Sequence, residues 1–390
     1  MKRLKSKTSD FVALCCGVVF ALVLGEILLR IYFGKNERFY VHKPNISVEF
    51  TVPDSLIPDI AGSVRFSTNA QGMRGQDYPR DHRTYRILAV GGSTTMCSFL
   101  DDAKTWPALV QKNLNVTADG RDVWVGNIGK DGVSTRSHMQ QMMNFVPQFE
   151  LDAILLLIGI NDLSLKLVQQ ENYDPDFLSD PKNRRKQVLR TFAIVPDSFH
   201  PLYKHFGFWK LARRTKSYLK HHTTFEENAE TLLRWRNYRK VGKEIDVMPD
   251  LTAALQEYAS NLSQIIELAE QLEVRIIFMT QPVLWHDNMN AEETAALIAG
   301  FYGNPGELEE PLYYSPEILQ AGIDMFNDKL KQVCREQSSE CIDLAGMIPQ
   351  NLQVFYDDCH YTEYGAELVA ETVAAYLKNA PPFSEELSVR

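Results

Sequence analysis

Hydrophobic and polar positions change their pattern twice along the chain, near residue 34 and near residue 84. Residues 11–33 are apolar and are interrupted only by Glu26 and Arg30. A helix rises about 1.5 Å per residue, so this run is long enough to cross a hydrocarbon core of roughly 30 Å. Residues 34–83 show only short alternating segments between prolines, and they predict a stalk followed by a β-rich lead-in.

Between residues 84 and 380 the pattern becomes a regular alternation of apolar runs and amphipathic stretches. The apolar runs predict buried strands of a parallel sheet, at residues 85–91, 123–128, 153–160, 275–280 and 341–344. Amphipathic stretches at residues 251–272 and 364–377 predict helices. Strands that alternate with helices predict an α/β domain whose sheet is covered by helices on both faces. Residues 381–390 are predicted to be a tail.

The alternation breaks between residues 163 and 250, which predicts a helical insert in the domain. The insert is rich in basic and aromatic residues, although the chain as a whole is acidic. The basic residues include Arg184, Arg185, Lys186, Arg190, Lys204, Lys210, Arg213, Arg214, Lys216 and Lys220. Three interpretations are open: a solvated subdomain with its own small core, a lid over a functional site, and a surface that lies against anionic lipid headgroups.

The N-terminus predicts an uncleaved membrane anchor, with residues 1–10 as a cytoplasmic basic segment and residues 11–33 as the transmembrane helix. The basic residues that precede the apolar run are Lys2, Arg3, Lys5 and Lys7. By the positive-inside rule they place everything after the helix outside the cytoplasm. A cleaved signal peptide is the alternative, but no A-x-A-like site follows the run. Glu26 and Arg30 are four residues apart, so they share a helix face and are predicted to pair.

Composition narrows the class of protein. The net charge of -9 and the sequence pI of about 5.6 argue against a nucleic-acid-binding protein, which is usually basic. The six cysteines include no C-x-x-C pair, so the sequence predicts no metal site and no other cofactor. Cys334 and Cys341 are candidates for a disulfide outside the cytoplasm. Cys97 and Cys359 each lie near a candidate catalytic residue, and a bond between them is a second candidate. No feature predicts an oligomeric state.

Small and polar residues that suit acyl transfer follow the ends of three predicted strands. Acyl transfer needs a nucleophile, a base, a group that orients the base, and donors for the oxyanion. Ser93 follows the first strand at a predicted helix N-terminus, where free N–H groups suit negative charge. Gly132 follows the second strand and Asn161 the third, and a backbone N–H and a side-chain amide could reach one oxygen. Taken singly, each residue is typical of a cap, a loop or a turn.

A base for the serine is predicted just before the last helix. His360 and Asp357 are three residues apart at a loop-to-helix transition, so they can hydrogen-bond and fix the imidazole tautomer. Asp358 is a competing carboxylate. His286, after the fourth strand, is a rival base without a comparably placed partner. Gln281 ends the fourth strand before a proline, where it either lines the pocket or serves the turn.

The order of these residues resembles that of the SGNH hydrolase superfamily, the GDSL-like esterases and lipases. The resemblance covers most of the predicted α/β domain apart from the insert. It implies Ser93 as the nucleophile, His360 as the general base and Asp357 as its orienter. It also implies that the backbone N–H of Ser93 joins Gly132 and Asn161 in the oxyanion hole. The implied fold is a flavodoxin-like three-layer α/β/α sandwich with a parallel sheet of strand order 2-1-3-4-5.

One position departs from the family's pattern. The Asp that usually precedes the nucleophile is replaced by Gly92. Because that Asp is not one of the catalytic groups, activity is expected to survive the change. The spacing of the family's motif favours Asp357 over Asp358 as the partner of His360.

The anchor and residues 69–75 (NAQGMRG) resemble a membrane-tethered bacterial subgroup of the same superfamily, whose members often accompany cell-surface polysaccharide assembly or modification. The expected function is hydrolysis of a small acyl ester outside the cytoplasmic membrane, with an O-acetyl group of a cell-surface glycan as the candidate substrate. An O-acyltransferase that uses the same residues is one alternative, and a non-catalytic, membrane-tethered component of glycan assembly is the other. The expected partners are the acyl ester and the membrane, and not nucleic acid.

Overall fold

The computed structural model describes residues 2–52, 57, 63–220, 224–304 and 310–384. The chain divides into two compact units, residues 1–39 with 195–227 and residues 40–194 with 228–390. Part of the predicted insert therefore belongs to the same unit as the apolar N-terminal helix. From residue 385 onward, the predicted tail lies outside the described residues.

The strands and helices of the described residues alternate along most of the chain. The strands are β1 (Ser47–Thr51), β2 (Ser63–Ser67), β3 (Thr84–Gly91), β4 (Asp122–Asn127), β5 (Ala153–Leu157), β6 (Lys243–Ile245), β7 (Arg275–Met279), β8 (Leu312–Tyr314) and β9 (Glu340–Ile342). The α-helices are α1 (Lys2–Phe33), α2 (Ser93–Met96), α3 (Trp106–Leu114), α4 (Thr135–Asn144), α5 (Ile160–Gln169), α6 (Pro181–Thr191), α7 (Gly207–Lys220), α8 (Thr224–Val241), α9 (Thr252–Gln271), α10 (Ala291–Ala296), α11 (Pro316–Glu336), α12 (Leu344–Met347) and α13 (Glu363–Lys378).

A parallel sheet forms the centre of the larger unit. Its strands lie in the order β4-β3-β5-β7-β9, and every neighbouring pair is parallel. Numbered by their place in the sequence, these strands have the order 2-1-3-4-5, so the predicted fold class is confirmed. Two smaller sheets accompany it, an antiparallel pair of β1 and β2 in the lead-in and a parallel pair of β6 and β8.

Both faces of the central sheet are covered. Every residue of β3 and β5 is buried, which requires packing on both sides. One group of helices pairs α3 with α13, and a second group packs α9 against α4 and α11. In α9, Leu262, Ile265 and Ile266 lie at helical spacing on one buried face. This spacing explains why the amphipathic pattern predicts the helix correctly.

The third strand of the central sheet ends earlier than the sequence predicts. β5 stops at Leu157, and Gly159 has a φ of +130°, which side chains rarely allow. The chain turns there and α5 begins at Ile160. Ile158 and Ile160 are buried, so the hydrophobic run continues across the turn and hides the end of the strand. Asn161 consequently lies in the first turn of a helix.

The smaller unit is built around α1. Within this helix, Ser9–Phe33 is long and apolar enough to cross a membrane, and a signal sequence near an N-terminus would have the same character. The predicted pair is present, since Arg30 Nε donates to Glu26 Oε1 at 2.7 Å. In the same unit, α7 packs against α1.

Candidate active site

β3 delivers Ser93 to the carboxyl edge of the central sheet. The strand ends at Gly91, and Ser93 is the first residue of α2, so its backbone N–H has no acceptor within that helix. The N–H groups of Thr95 and Met96 donate to Gly92 O at 3.2 Å and 3.0 Å, which closes a tight turn directly after the strand. Ser93 is partly exposed between buried neighbours. The turn therefore presents one hydroxyl to solvent at the end of a buried strand.

His360 and Asp357 meet this hydroxyl. His360 Nε2 lies 2.7 Å from Ser93 Oγ, across a separation of 267 residues in the sequence. His360 Nδ1 lies 2.8 Å from Asp357 Oδ2. Asp357 is fully buried, and its Oδ1 accepts the backbone N–H groups of Cys359 and His360 at 3.0 Å and 2.9 Å. This chain of contacts from nucleophile to base to orienting acid is the arrangement of a serine catalytic triad.

The neighbouring carboxylate, Asp358, points into a different set of contacts. Its Oδ1 accepts the indole N–H of Trp285 at 2.8 Å. Its Oδ2 accepts the backbone N–H groups of Ile298 and Ala299 at 2.6 Å and 2.9 Å. Both oxygens of Asp358 are therefore occupied in holding two other segments, and the carboxylate within reach of His360 is that of Asp357.

Asp357 also controls the charge of His360. Burial disfavours the imidazolium, but the negative Asp357 carboxylate outweighs burial and holds the pKa of His360 well above its ordinary value. Burial likewise tends to raise the pKa of Asp357, yet the imidazolium and the backbone donors outweigh it, so that pKa lies below its usual range. Only the neutral imidazole can take a proton from Ser93, so the raised pKa of His360 sets the pH above which this base is active.

Tyr356 is a neighbour of the imidazole that the sequence did not single out. Its ring stacks on that of His360, with the centroids 5.6 Å apart and the planes 13° from parallel. Both the stacking and the Asp357 contacts restrict rotation of the imidazole. The only sequence signal available was the position of Tyr356 one residue before Asp357.

Arg74 holds the end of the helix that carries the serine. Its Nη1 donates to the carbonyls of Met96 and Cys97, each at 2.6 Å, and its Nε pairs with Asp102 at 2.8 Å. Its side chain is 2% exposed. A guanidinium that satisfies the last carbonyls of a helix acts as its C-terminal cap. Arg74 lies in the segment 69–75, so that segment braces α2, a role that requires contacts more than 20 residues away.

Asn161 approaches the backbone directly beside the serine. A Cβ built on Gly92 would lie 2.3 Å from Asn161 Nδ2 and 3.8 Å from Val133 O. The amide can occupy this position only because residue 92 has no side chain. Gly132, in the loop after β4, has a φ of +64° and open space where a side chain would stand. The segments that carry the three predicted oxyanion donors thus meet around Gly92, where the resembling family has an Asp.

We expect Gly92→Ala to lower kcat/KM about 10- to 100-fold, because the new methyl group displaces the Asn161 amide from the oxyanion position. The backbone at residue 92 has φ −83° and ψ −150°, which alanine adopts readily, so the variant should fold. The measurement is a double-mutant cycle with Asn161→Ala, with circular dichroism as the check on folding. In the Asn161→Ala background, Gly92→Ala should have little further effect; an equal loss in both backgrounds would contradict the role of Gly92.

Asp162 ties together the two helices that flank the predicted oxyanion donors. Its Oδ1 accepts the N–H of Thr135 at 3.1 Å and the Thr135 hydroxyl at 2.5 Å, and Asn261 Nδ2 donates to that same hydroxyl at 2.9 Å. Thr135 begins α4, just after the loop of Gly132, and Asp162 follows Asn161 in α5. Burial raises the pKa of Asp162 to about 7. No local sequence pattern indicates this role, because the partners of Asp162 lie on other helices.

Gln281 and His286 lie after β7 but contact different parts of the site region. Gln281 is buried beneath α2, where its Oε1 lies 3.4 Å from Thr94 Oγ1 and its Nε2 donates to Pro282 O at 2.8 Å. His286 Nδ1 lies 2.8 Å from Asp287 O, and its Nε2 lies 3.4 Å from a Glu293 carboxylate oxygen. His360, and not His286, is the histidine within hydrogen-bond distance of the serine.

A small cleft adjoins Gly132 and Asn161. It has a volume of about 50 Å³, and its polar walls include Gln169, Gln187 and Arg190. The cleft is small, and Ser93 and His360 are not among the residues that line it. A larger cavity of about 570 Å³ contains none of the predicted site residues among those that line it.

Asp357, Cys359 and His360 also have the spacing of a metal site, because each offers a ligand atom within 4.8 Å of the others. Both imidazole nitrogens, however, already face Ser93 and Asp357. Burial also raises the pKa of the Cys359 thiol, which disfavours the thiolate that binds a metal. The geometry therefore suits a catalytic triad better than a metal centre.

All six cysteines lie within the described residues, and all are free thiols in the structure. Neither candidate disulfide, Cys334 with Cys341 or Cys97 with Cys359, is formed there. Burial raises the pKa of Cys97 to about 11, so this thiol, like that of Cys359, is a poor nucleophile beside the site.

Comparisons with known proteins give low similarity. No family model matches the chain, and no curated protein is similar enough to count as a match. Solved structures that align with it include an α/β hydrolase enzyme from the metagenome of Lake Arreo, Spain, with 14% identity, 75% of this chain and 94% of that chain covered, and a TM-score of 0.40. An acetylxylan esterase from Geobacillus stearothermophilus aligns with 16% identity, coverage of 75% and 93%, and a TM-score of 0.40.

A member of the lipolytic protein G-D-S-L family from Veillonella parvula aligns with 14% identity, coverage of 76% of this chain and 100% of that chain, and a TM-score of 0.38. Similarities at this level identify neither a shared fold nor a shared activity. The fold is identified by the strand order of the central sheet, and the candidate site is identified by its interatomic distances.

Proposed function

We propose that the chain is a serine ester hydrolase of the SGNH type. One observation carries the proposal: Ser93 Oγ lies 2.7 Å from His360 Nε2, whose other ring nitrogen lies 2.8 Å from the buried Asp357 carboxylate. A hydroxyl with a general base and an orienting carboxylate is the arrangement that activates serine toward a carbonyl carbon. The position of the serine at a helix N-terminus and the nearby amide of Asn161 support the assignment, because both suit an oxyanion.

The proposed reaction has two halves. Ser93 Oγ attacks the ester carbonyl while its proton passes to His360 Nε2, and the oxyanion is held by the backbone N–H groups of Ser93 and Gly132 and by the Asn161 amide. The intermediate collapses as imidazolium gives that proton to the leaving alcohol, which leaves an acyl group on the serine. Water then attacks the acyl group with His360 as base, and the acid leaves as the Ser93 hydroxyl is restored.

The small cleft favours a short acyl group. Its small volume of about 50 Å³ beside Gly132 and Asn161 favours a short acyl group such as acetyl. A short acyl group supports an acetyl ester as the substrate, and the glycan portion of the proposal rests on the resemblance to the membrane-tethered subgroup.

The proposed location is the outer face of the cytoplasmic membrane. The apolar helix Ser9–Phe33 would serve as an uncleaved single span, with the basic N-terminal residues in the cytoplasm and the α/β domain outside. A glycan at the cell surface would be within reach of a domain held there. This location and the glycan substrate agree with the resemblance of residues 69–75 to the membrane-tethered subgroup.

Acyl-chain selectivity tests the proposed activity. We expect the full chain in detergent to hydrolyse p-nitrophenyl acetate with a kcat/KM at least about 10-fold above that for p-nitrophenyl octanoate, because the small cleft favours a short acyl group. Equal rates for the two esters would contradict the short-acyl assignment, and no release of nitrophenol from either would contradict an esterase. With an O-acetylated oligosaccharide as substrate, free acetate identifies hydrolysis, whereas acetyl transfer to an added sugar identifies the acyltransferase alternative.

A further inference from the structure

The smaller unit contains a second helix whose composition suits a membrane surface. Residues 198–225 contain no Asp or Glu, and their six basic residues are Lys204, Lys210, Arg213, Arg214, Lys216 and Lys220. Successive residues of a helix are 100° apart, and on this spacing α7 has one largely apolar face. That face contains positions 208, 211, 212, 215, 218 and 219. The basic positions fall on the opposite arc of the helix, and Trp209 lies on that arc between positions 216 and 220. Basic residues opposite aromatic and aliphatic residues are typical of helices that lie in a lipid headgroup layer.

Several large apolar side chains of this region are about half exposed, although α7 packs against α1. Each has an exposed fraction between 42% and 54%. These residues are Tyr203, Phe206, Phe208, Trp209 and Leu211. A water-soluble helix would bury such side chains in a core. Tyr203 and Trp209 contact each other edge to face at 5.5 Å, so they form one aromatic cluster next to basic residues. Clustered, exposed aromatic residues of this kind suit the interface between hydrocarbon and headgroups.

The first turn of α7 is hydrogen-bonded to one position along α1, Glu26. The carboxylate of Glu26 accepts the backbone N–H groups of Gly207 and Phe208 at 2.8 Å and 3.2 Å. The same carboxylate pairs with Arg30, whose guanidinium lies 5.1 Å from the centre of the Phe206 ring. A carboxylate at the first turn of a helix satisfies free N–H groups and favours the helix dipole. Glu26 thus joins the apolar helix to the N-terminus of α7.

The helices approach closely at this junction. A Cβ on Gly207 would lie 2.4 Å from Leu29 Cβ, so only glycine permits the observed contact. A Cβ on Gly25 would lie 3.0 Å from the end of the Phe208 ring. Lys210 Nζ donates to Gly34 O at 2.9 Å and to Asp197 at 2.8 Å, which fixes the next turn of α7 just beyond the end of α1. The junction is therefore specific and not a loose association.

The contacts between α1 and α7 lie close to the end of the proposed membrane span, where the headgroup layer begins. Glu26 and Arg30 precede the end of α1 at Phe33 by roughly 10 Å and 5 Å, at 1.5 Å per residue. Interfacial helices bury their apolar face roughly 5–10 Å into the boundary between headgroups and acyl chains. We infer that α7, with Tyr203 and Phe206 before it, lies in the outer headgroup layer of the bilayer and binds anionic lipid headgroups through its basic face. This inference rests on the proposed membrane span.

Quenching of Trp209 by brominated lipids tests the inference. The full chain is reconstituted in vesicles of phosphatidylcholine and phosphatidylglycerol at 7:3, with either lipid brominated in turn. Of the five tryptophans, we expect Trp209 to give most of the emission that brominated lipid quenches, so that Trp209→Phe removes it. Trp235→Phe is the matched control, because Trp235 packs against Phe301 in the larger unit, and it should leave that quenching unchanged.

A preference of α7 for anionic lipid is tested by comparing quenching by the two brominated lipids. Brominated phosphatidylglycerol should quench Trp209 at least twofold more strongly than brominated phosphatidylcholine, and Arg213→Gln with Lys216→Gln, or 0.5 M salt, should remove the difference. Trp209 emission that is quenched by iodide instead of bromolipid, or by neither, would overturn the inference while leaving the span intact. A chain that an alkaline wash strips from the vesicles would overturn both, and neither result bears on ester hydrolysis by the α/β domain.

Discussion

Replacing Ser93 with alanine is expected to lower kcat/KM for p-nitrophenyl acetate by about 10⁴-fold or more, because the variant has no atom that can form the acyl-enzyme. This loss corresponds to about 5.5 kcal/mol of transition-state stabilisation. Labelling by a fluorophosphonate probe should disappear together with the activity, since the probe reacts with the same oxygen. Both quantities are measured on the full chain in detergent.

Ser98→Ala is the matched control for the nucleophile. Ser98 lies five residues further along and is nearly buried, but its hydroxyl contacts Asp131 at 3.3 Å and not His360. Its replacement should leave both labelling and hydrolysis within about threefold of the parent. Labelling that persists in Ser93→Ala would refute the assignment of the nucleophile. Full biological function in Ser93→Ala would favour the non-catalytic alternative.

Asp357→Asn is expected to lower kcat by roughly 10³- to 10⁴-fold and to change its pH dependence. Asp357 Oδ1 accepts two backbone N–H groups, so the asparagine amide oxygen should stay there and its NH₂ should face His360 Nδ1. His360 Nδ1 lies 2.9 Å from Oδ1 and 2.8 Å from Oδ2, so an NH₂ in the Oδ2 position favours Nδ1 as acceptor. The proton then moves to Nε2, where the imidazole cannot take a proton from Ser93. The wrong tautomer, and not a change of position, explains the expected loss.

The pH profile of kcat/KM separates this explanation from a general loss of folding. The parent needs neutral His360, whose pKa Asp357 holds well above its ordinary value, so activity should rise with pH through that raised pKa. Without the carboxylate the pKa of His360 falls, and the acidic limb of the residual activity should move to lower pH. An acidic limb that stays in place would contradict the coupling between the two side chains.

Asp358→Asn is the matched control for this second prediction. Asp358 accepts donors on both oxygens, from Trp285 on one and from Ile298 and Ala299 on the other. An amide NH₂ would face one of these donors and leave it unsatisfied, at a cost of about 1–3 kcal/mol in the free energy of unfolding. Stability should therefore fall while the acidic limb of kcat/KM stays where it is in the parent.

The architecture follows from local patterns to a large extent. The runs that form β3 and β7 are mostly apolar, and such runs are typical of strands covered on both faces. The main boundary error, at the end of β5, arises because the hydrophobic run continues through the turn at Gly159. Burial alone does not distinguish the last residue of a strand from the first residue of a buried helix.

The candidate site is only partly encoded in local sequence. The contact between His360 and Asp357 joins residues three apart, so spacing can predict it. The bracing of α2 by Arg74 and the clamp between Asp162 and Thr135 join residues that are 22 to 28 apart, on different elements. The close approach of Asn161 to Gly92 depends on the distance between two strand ends. Such contacts are set by the packing of the sheet and its helices, which a single sequence does not report.

The sequence separation of 267 between Ser93 and His360 also has a consequence for the synthesis of the protein. A ribosome adds roughly 5–20 residues per second, so the serine is synthesised about 13–53 s before the histidine. Throughout this interval the hydroxyl has no base beside it and reacts like any ordinary alcohol. A nascent chain that passes through the cytoplasm or a translocation pore therefore carries an inert serine past the esters it meets there. On the proposed mechanism, reactivity begins only when the segment that contains His360 has folded against α2.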